Sequence, residues 1–297
     1  MNAFLFAWRA SRWLPASIVR ALAWALAMLG WATHAKATRR LEDNLARVTG
    51  ADGRALRRLS RRGLASVARY YAEVLEMSRL DARTVDARVR CELSEETRGV
   101  FAGDDAAIAV LGHYGNWDLV GSYASRHLMP VTAVAEVLKP QEVFEEFVAL
   151  RARHGMRILG HEGGATFRSL IRIARAERQL VCLVADRDLS GSGVAVAMWG
   201  SSVRVAPGPA ALAAATGRVI LPAFVRYERL HGARRRAARS RWGTVLSFGP
   251  VIDPARFEGE QRVEQMTQEW ASSLADFVAA HPEDWHMLQR FGWVEDA

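Results

Sequence analysis

From residue 87 onward the chain divides into short apolar runs, separated by segments in which apolar residues recur every three or four positions. Runs near 87–92, 106–112, 131–136, 180–185, 194–198, 219–226 and 244–248 predict strands. The patterns between them predict helices near 116–127, 140–154, 164–177, 207–216 and 262–280, the last closed by His281-Pro282. Strands that alternate with helices in this way predict an α/β fold around a central sheet. No internal repeat is present.

The first 80 residues carry a different pattern. From Thr38 to Arg79 the period is helical: Leu41, Leu45 and Val48 share one face, Gly50 stops that segment, and Leu56, Leu59, Leu64, Val67 and Tyr71 line the next. Arg54, Arg57, Arg58, Arg61 and Arg62 occupy the opposite face. Upstream, Trp13 to Thr33 is largely apolar, but its uncharged stretch from Ala21 to Thr33 is 13 residues, short of the roughly 20 a spanning helix needs. No small-residue cleavage site follows it, so a signal peptide fits less well. Trp8, Trp13, Trp24 and Trp31, flanked by Arg9, Arg12, Arg20, Lys36, Arg39 and Arg40, fit a helix lying in an anionic membrane interface. The alternative is an amphipathic helix buried in the core. Residues 1–80 are therefore expected to form a helical, membrane-facing region packed on an α/β core of residues 81–297.

Composition narrows the choice of partner only a little. Of 297 residues half are hydrophobic and 24% charged, which excludes a disordered chain, and the formal charge of +8 favours anionic partners. Nucleic acid is not expected, since charge is its only support. The arginine-rich stretch Gly232–Arg241 reads as a mobile basic loop between two strands. The two cysteines, Cys91 and Cys182, lie in predicted strands and read as small core residues rather than a disulfide or metal pair.

The candidate chemistry gathers at strand ends. His113-Tyr114-Gly115-Asn116-Trp117-Asp118 follows the run Ile108–Gly112, which places a base at the carboxyl end of a strand, where open α/β sheets present their sites. If Asn116 caps the following helix, Asp118 falls in its first turn and can reach back to one imidazole nitrogen, leaving the other to accept a proton. Asp186-Arg187-Asp188 closes another apolar run, and either carboxylate could enter the same crevice. Glu136 closes a third, with Arg151 on the next helix able to pair with it or to bind a phosphate. Zinc-type ligand spacing, a phosphate-binding loop and a serine nucleophile elbow are all missing from the sequence.

His113 and Asp118 also stand as the H-x4-D motif of the lipid A biosynthesis acyltransferase family, which this chain resembles over most of its length. Asp186-Arg187-Asp188 with Gly193 and Trp199-Gly200 is similar to the family's second motif, and Pro207 to Gly217 to the small-residue helix after it. His281-Pro282-Glu283-Asp284-Trp285-His286-Met287 resembles its C-terminal signature. The stretches Arg69–Glu73 and Ala135–Pro140, with the Pro-Glu-Asp-Trp-His-Met ending, resemble the actinobacterial phosphatidylinositol mannoside acyltransferases within it. In related sequences a Glu can stand at the position of Asp186.

This resemblance implies a single glycerolipid-acyltransferase-like α/β domain with a mixed sheet. It implies a peripheral enzyme of the inner membrane face that moves an acyl group from acyl-CoA to a mannose hydroxyl of mannosylated phosphatidylinositol. His113, Asp118 and Asp186 are then the expected catalytic residues, and Glu136, Arg151, Arg187, Asp188 and Arg204 the expected substrate contacts. No metal and no cofactor besides the acyl-CoA co-substrate is expected. The alternatives are a lipid A type enzyme using acyl-carrier protein as donor and a non-catalytic basic membrane-surface adaptor. Oligomeric state is not encoded in any motif.

Overall fold

The computed structural model describes residues 13–137, 139–188, 191 and 193–294. The predicted Trp8, Arg9 and Arg12 lie outside them. Three helices come first: α1 (Ala16–Ala32), α2 (Lys36–Thr49) and α3 (Gly53–Met77). Gly50 closes α2 at φ +66°, in the left-handed region that glycine enters without strain. The core continues with α4 (Ala82–Arg88), β1 (Val89–Cys91), α5 (Glu95–Ala102), β2 (Ala107–Leu111), α6 (Trp117–His127), β3 (Val131–Ala135) and α7 (Gln141–Arg153). It proceeds through β4 (Met156–Gly160), α8 (Gly164–Ala176), β5 (Leu180–Val184), β6 (Val194–Met198), β7 (Ser201–Val205) and α9 (Gly208–Thr216). It ends with β8 (Ile220–Arg229), α10 (Gly232–Ala238), β9 (Trp242–Phe248) and α11 (Arg262–Ala280).

Seven strands form one sheet in the order β1-β9-β8-β2-β5-β3-β4, with β6 and β7 in a separate hairpin. All neighbours in the large sheet pair in parallel except β8 and β9, so the sheet is mixed, as expected. All five residues of β2 are buried at its centre. Leu41, Leu45, Leu59 and Leu64 of α2 and α3 join the same apolar core as Ile108, Val181 and Val225 of the sheet.

Asn44 ties α2 to the far end of the chain. Its Nδ2 donates to the carbonyls of Met287 and Gln289, and its Oδ1 accepts from Trp293 Nε1. By contrast α1 leaves its apolar face outward: Leu22, Trp24, Leu26 and Leu29, with Trp13 just before the helix, are all more than half exposed, and Val19 is its one buried residue. No described helix is by itself long and apolar enough to cross a membrane; α1 and α2 pass that test only together, across a 74° bend.

Gly232–Ala238, expected as a mobile loop, is the helix α10. Arg234 explains the order, since it donates to the carbonyls of Ala87 and Arg88 and pairs with Glu228. Strands β4 and β7 and helices α4 and α5 were not anticipated. Trp199 and Gly200, both with positive φ, make the two-residue turn between β6 and β7.

Candidate active site

Strand order decides which acid meets the base. Strand β5 lies beside β2 with Leu111 opposite Val184, so two residues past each strand end His113 faces Asp186. Asp186 is fully buried and accepts twice from one residue: its Oδ2 takes the His113 backbone N–H at 2.8 Å, and its Oδ1 lies 2.7 Å from Nδ1. That leaves Nε2 for a substrate proton, and the His113 side chain, 43% exposed, can be reached. Burial pushes the His113 pKa down, but the charge of Asp186 and its hydrogen bond outweigh this and raise it above the ordinary imidazole value.

The loop carrying His113 is held on every side. Tyr114 donates through its hydroxyl to the Ala223 carbonyl at 2.6 Å. Gly115 has φ +57°, and a Cβ there would come within 2.5 Å of the Val225 carbonyl oxygen, so both conformation and space require glycine. Asn116 caps α6 by accepting from Leu119 N–H and donates to Glu73 of α3 at 2.7 Å. Glu73, whose pKa burial raises against the pull of Arg88 and these hydrogen bonds, also accepts from the Tyr227 hydroxyl.

His286 completes the frame by donating its backbone N–H to the His113 carbonyl at 2.7 Å. Its Nε2 lies 3.0 Å from Ser66 Oγ, whose own proton goes to Asp284. His286 Nε2 therefore carries the proton and Nδ1 keeps its lone pair. Burial, with the nearby Arg69 and His113, lowers the His286 pKa to about 3, so the ring stays neutral.

Asp118 does not reach His113. It is fully buried, with Oδ1 accepting from Arg151 Nε at 2.7 Å and Oδ2 from the Tyr70 hydroxyl at 3.0 Å. The first turn of α6 points this carboxylate toward α3 and α7 rather than back along the loop. Arg151, expected against Glu136 or a phosphate, is thereby committed to Asp118 and stacks on Trp117 at 4.4 Å.

Glu136 is exposed at the carboxyl end of β3, close enough that its charge raises the His113 pKa, while that of Arg187 lowers it. Asp188 accepts from Gly193 N–H at 2.7 Å, and Arg204 donates to the Gly193 carbonyl. These last two hold Gly193 in place from two sides.

An apolar slot runs between α6 and one face of the sheet. Trp117, Val120, Gly121 and Ala124 of α6 form one wall. Alternate strand residues, among them Ala109, Leu111, Ala133, Cys182, Val184 and Ala223, form the other. Small residues on both walls line it, and the empty space between them, open solvent at the mouth included, is about 610 Å³. Its lining includes Leu111 and Trp117, which flank His113 in the chain, and Val184, two residues before Asp186. Cys182 lines the slot as an inert thiol, its pKa pushed by burial to about 12.

A family model of the bacterial lipid A biosynthesis acyltransferases matches residues 2–291. The chain belongs to that family. Two relatives named phosphatidylinositol mannoside acyltransferase are similar over nearly the whole length. The one from Mycobacterium tuberculosis (strain CDC 1551 / Oshkosh) is 34% identical over 99% of this chain and 88% of its own. The one from Mycolicibacterium smegmatis is 30% identical over 97% of this chain and 90% of its own. Among solved structures, the 1-acyl-sn-glycerophosphate (LPA) acyltransferase PlsC of Thermotoga maritima aligns with 88% of this chain and 98% of its own, at 15% identity and a TM-score of 0.41.

Five residues to which the sequence reading assigns no role pack around His113 and the start of α6 in this lipid A family acyltransferase. Ser66, Tyr70, Glu73, Asp284 and His286 all support the loop. Glu73 and Tyr70 sit on α3, far from His113 in sequence, and the Arg69–Glu73 resemblance was the signal that pointed to them. Asp284 and His286 belong to the C-terminal signature, which was the available signal.

Proposed function

We propose that this acyltransferase moves a fatty acyl group from acyl-CoA to a mannose hydroxyl of a phosphatidylinositol mannoside, working as a peripheral protein at the cytoplasmic membrane face. The observation that carries the reading is the Asp186–His113 pair, its Nε2 free, flanked in the chain by residues that line an apolar slot suited to an acyl chain. The names of the two long relatives support the acceptor.

In the proposed reaction His113 Nε2 takes the proton of a mannose hydroxyl as that oxygen attacks the thioester carbonyl. The tetrahedral intermediate collapses, the carbon–sulfur bond breaks, and the imidazolium returns its proton to the departing thiolate. The products are the mannose ester and free CoA. Asp186 holds the ring and stabilises its positive charge, which together with positioning suffices for a thioester, already an activated acyl group. The slot binds the chain away from water, and the outward ridge of α1, flanked by Lys36, Arg39 and Arg40, suits an anionic lipid surface.

Incubation of purified protein with palmitoyl-CoA and mannosylated phosphatidylinositol, followed by mass spectrometry, tests this. Acylated glycolipid is expected in step with CoA release. Release of CoA without an acylated sugar would assign a thioesterase instead, and transfer only from an acyl-carrier protein thioester would overturn the donor.

A further inference from the structure

On the β8 side of β2, across from Asp186, two arginines share one indole. The Arg69 guanidinium carbon, carried by α3, lies 3.6 Å from the Trp242 ring centre and 4.4 Å from that of Tyr227. Arg229, paired with Trp242 across the β8–β9 ladder, lies 4.1 Å from the same indole. Stacking fixes the planes of both guanidinium groups and uses only their faces. Among the described residues neither group forms an ion pair and neither donates a hydrogen bond. No Arg69 nitrogen is among the buried unpaired atoms, so its donors reach solvent.

The nearby carboxylates are committed elsewhere. Glu73 serves Asn116 and Tyr227, Asp284 serves Ser66 and the Tyr227 N–H, and Glu228 serves Arg90 and Arg234. Exposed Arg239 and Arg241 on the same hairpin add positive charge. Two like charges on one ring with open in-plane N–H edges make a preformed receptor for a tetrahedral dianion or a phosphodiester, which guanidinium groups grip in bidentate fashion. The cluster is tied to the His113 loop through one residue: the N–H of Tyr227, on whose ring Arg69 stacks, goes to the Asp284 carboxylate, and the Asp284 carbonyl takes the Gly115 N–H.

We propose that Arg69 and Arg229, stacked on Trp242, bind a phosphate group of a substrate held at His113. The inference rests on the acyl-transfer reading and deepens it. The phosphate belongs either to the glycolipid phosphodiester or to the nucleotide end of CoA, and two probes separate the sources: glycerophosphoinositol and adenosine 3′,5′-bisphosphate.

Calorimetric titration of the full-length protein, wild type and Arg229→Gln, with each probe gives an activity-independent readout. Weakening on the order of tenfold for one probe is expected, the scale of a lost charged hydrogen bond. The KM of the matching substrate should rise by a similar factor while kcat changes far less. Arg69→Lys, which keeps charge but not the fork, should weaken the same probe, and Arg235→Gln, an exposed neighbour on α10, should not. Unchanged binding of both probes and unchanged KM values would overturn the site. So would a loss confined to binding of anionic vesicles. If the wild type binds a probe through Arg229 yet transfers no acyl group, the phosphate site stands and the reaction assignment fails.

Discussion

The Asp186 carboxylate makes two bonds to His113, one to the main chain and one to the ring, so it sets both the position and the tautomer of the base. Asp186→Asn keeps the shape but removes the charge that raises the His113 pKa. In the proposed reaction His113 accepts a proton only when neutral, so the rate is expected to fall off on the acid side of that pKa. The variant should therefore show turnover reduced by about 10²–10⁴ and an acid limb moved to lower pH, read from kcat/KM against pH. Asp118→Asn should behave differently: it breaks a buried ion pair, so a loss of about 3–5 kcal/mol in stability is expected by denaturant unfolding, with no movement of the acid limb. Both acids were visible in the sequence as hydrophilic residues near strand ends. Their partners were not, since the His113–Asp186 pairing depends on β5 inserting beside β2, a choice made by residues 73 positions apart.

At the scale of elements, α6 acts as the lid of the apolar slot, and its small residues leave the space. Ala124 lies two turns from Trp117, toward the end of the slot lined by Leu180 and Val131. Ala124→Phe should shorten the acyl chain accepted, measured by competition between acyl-CoA lengths, at a stability cost of about 1–3 kcal/mol from overpacking. Strands β2, β3 and β5 were legible as unbroken apolar runs. Strand β4 was not, because Arg157 interrupts a five-residue edge strand, and β7 was not, because Ser202 and Arg204 take its outward positions and Ser201 opens it with a polar residue. Helix α10 has an arginine-rich, loop-like composition, and only the contacts of Arg234 with α4 and β8 reveal why it is ordered.

Over the whole molecule, α2 and α3 are stitched to the sheet while α1 keeps a row of large apolar side chains in water. Replacing exposed leucines there costs the fold little, but each would forfeit on the order of 1.5–3 kcal/mol of burial in a bilayer. The pair Leu22→Gln and Leu26→Gln should therefore weaken sedimentation with anionic vesicles by at least about tenfold while leaving the melting temperature unchanged. The α/β class and the helical N-terminal region were readable from periodicity. The direction in which α1 faces was not, because an interfacial helix and a core helix share one pattern.

The central claim is that His113 takes the proton of a sugar hydroxyl. It is tested most directly by mass spectrometry of lipid products from wild type and a folded His113→Ala variant, supplied with palmitoyl-CoA and mannosylated phosphatidylinositol. Acylated glycolipid from the wild type and none above background from the variant is the predicted result. Near-normal product from the variant would contradict the account.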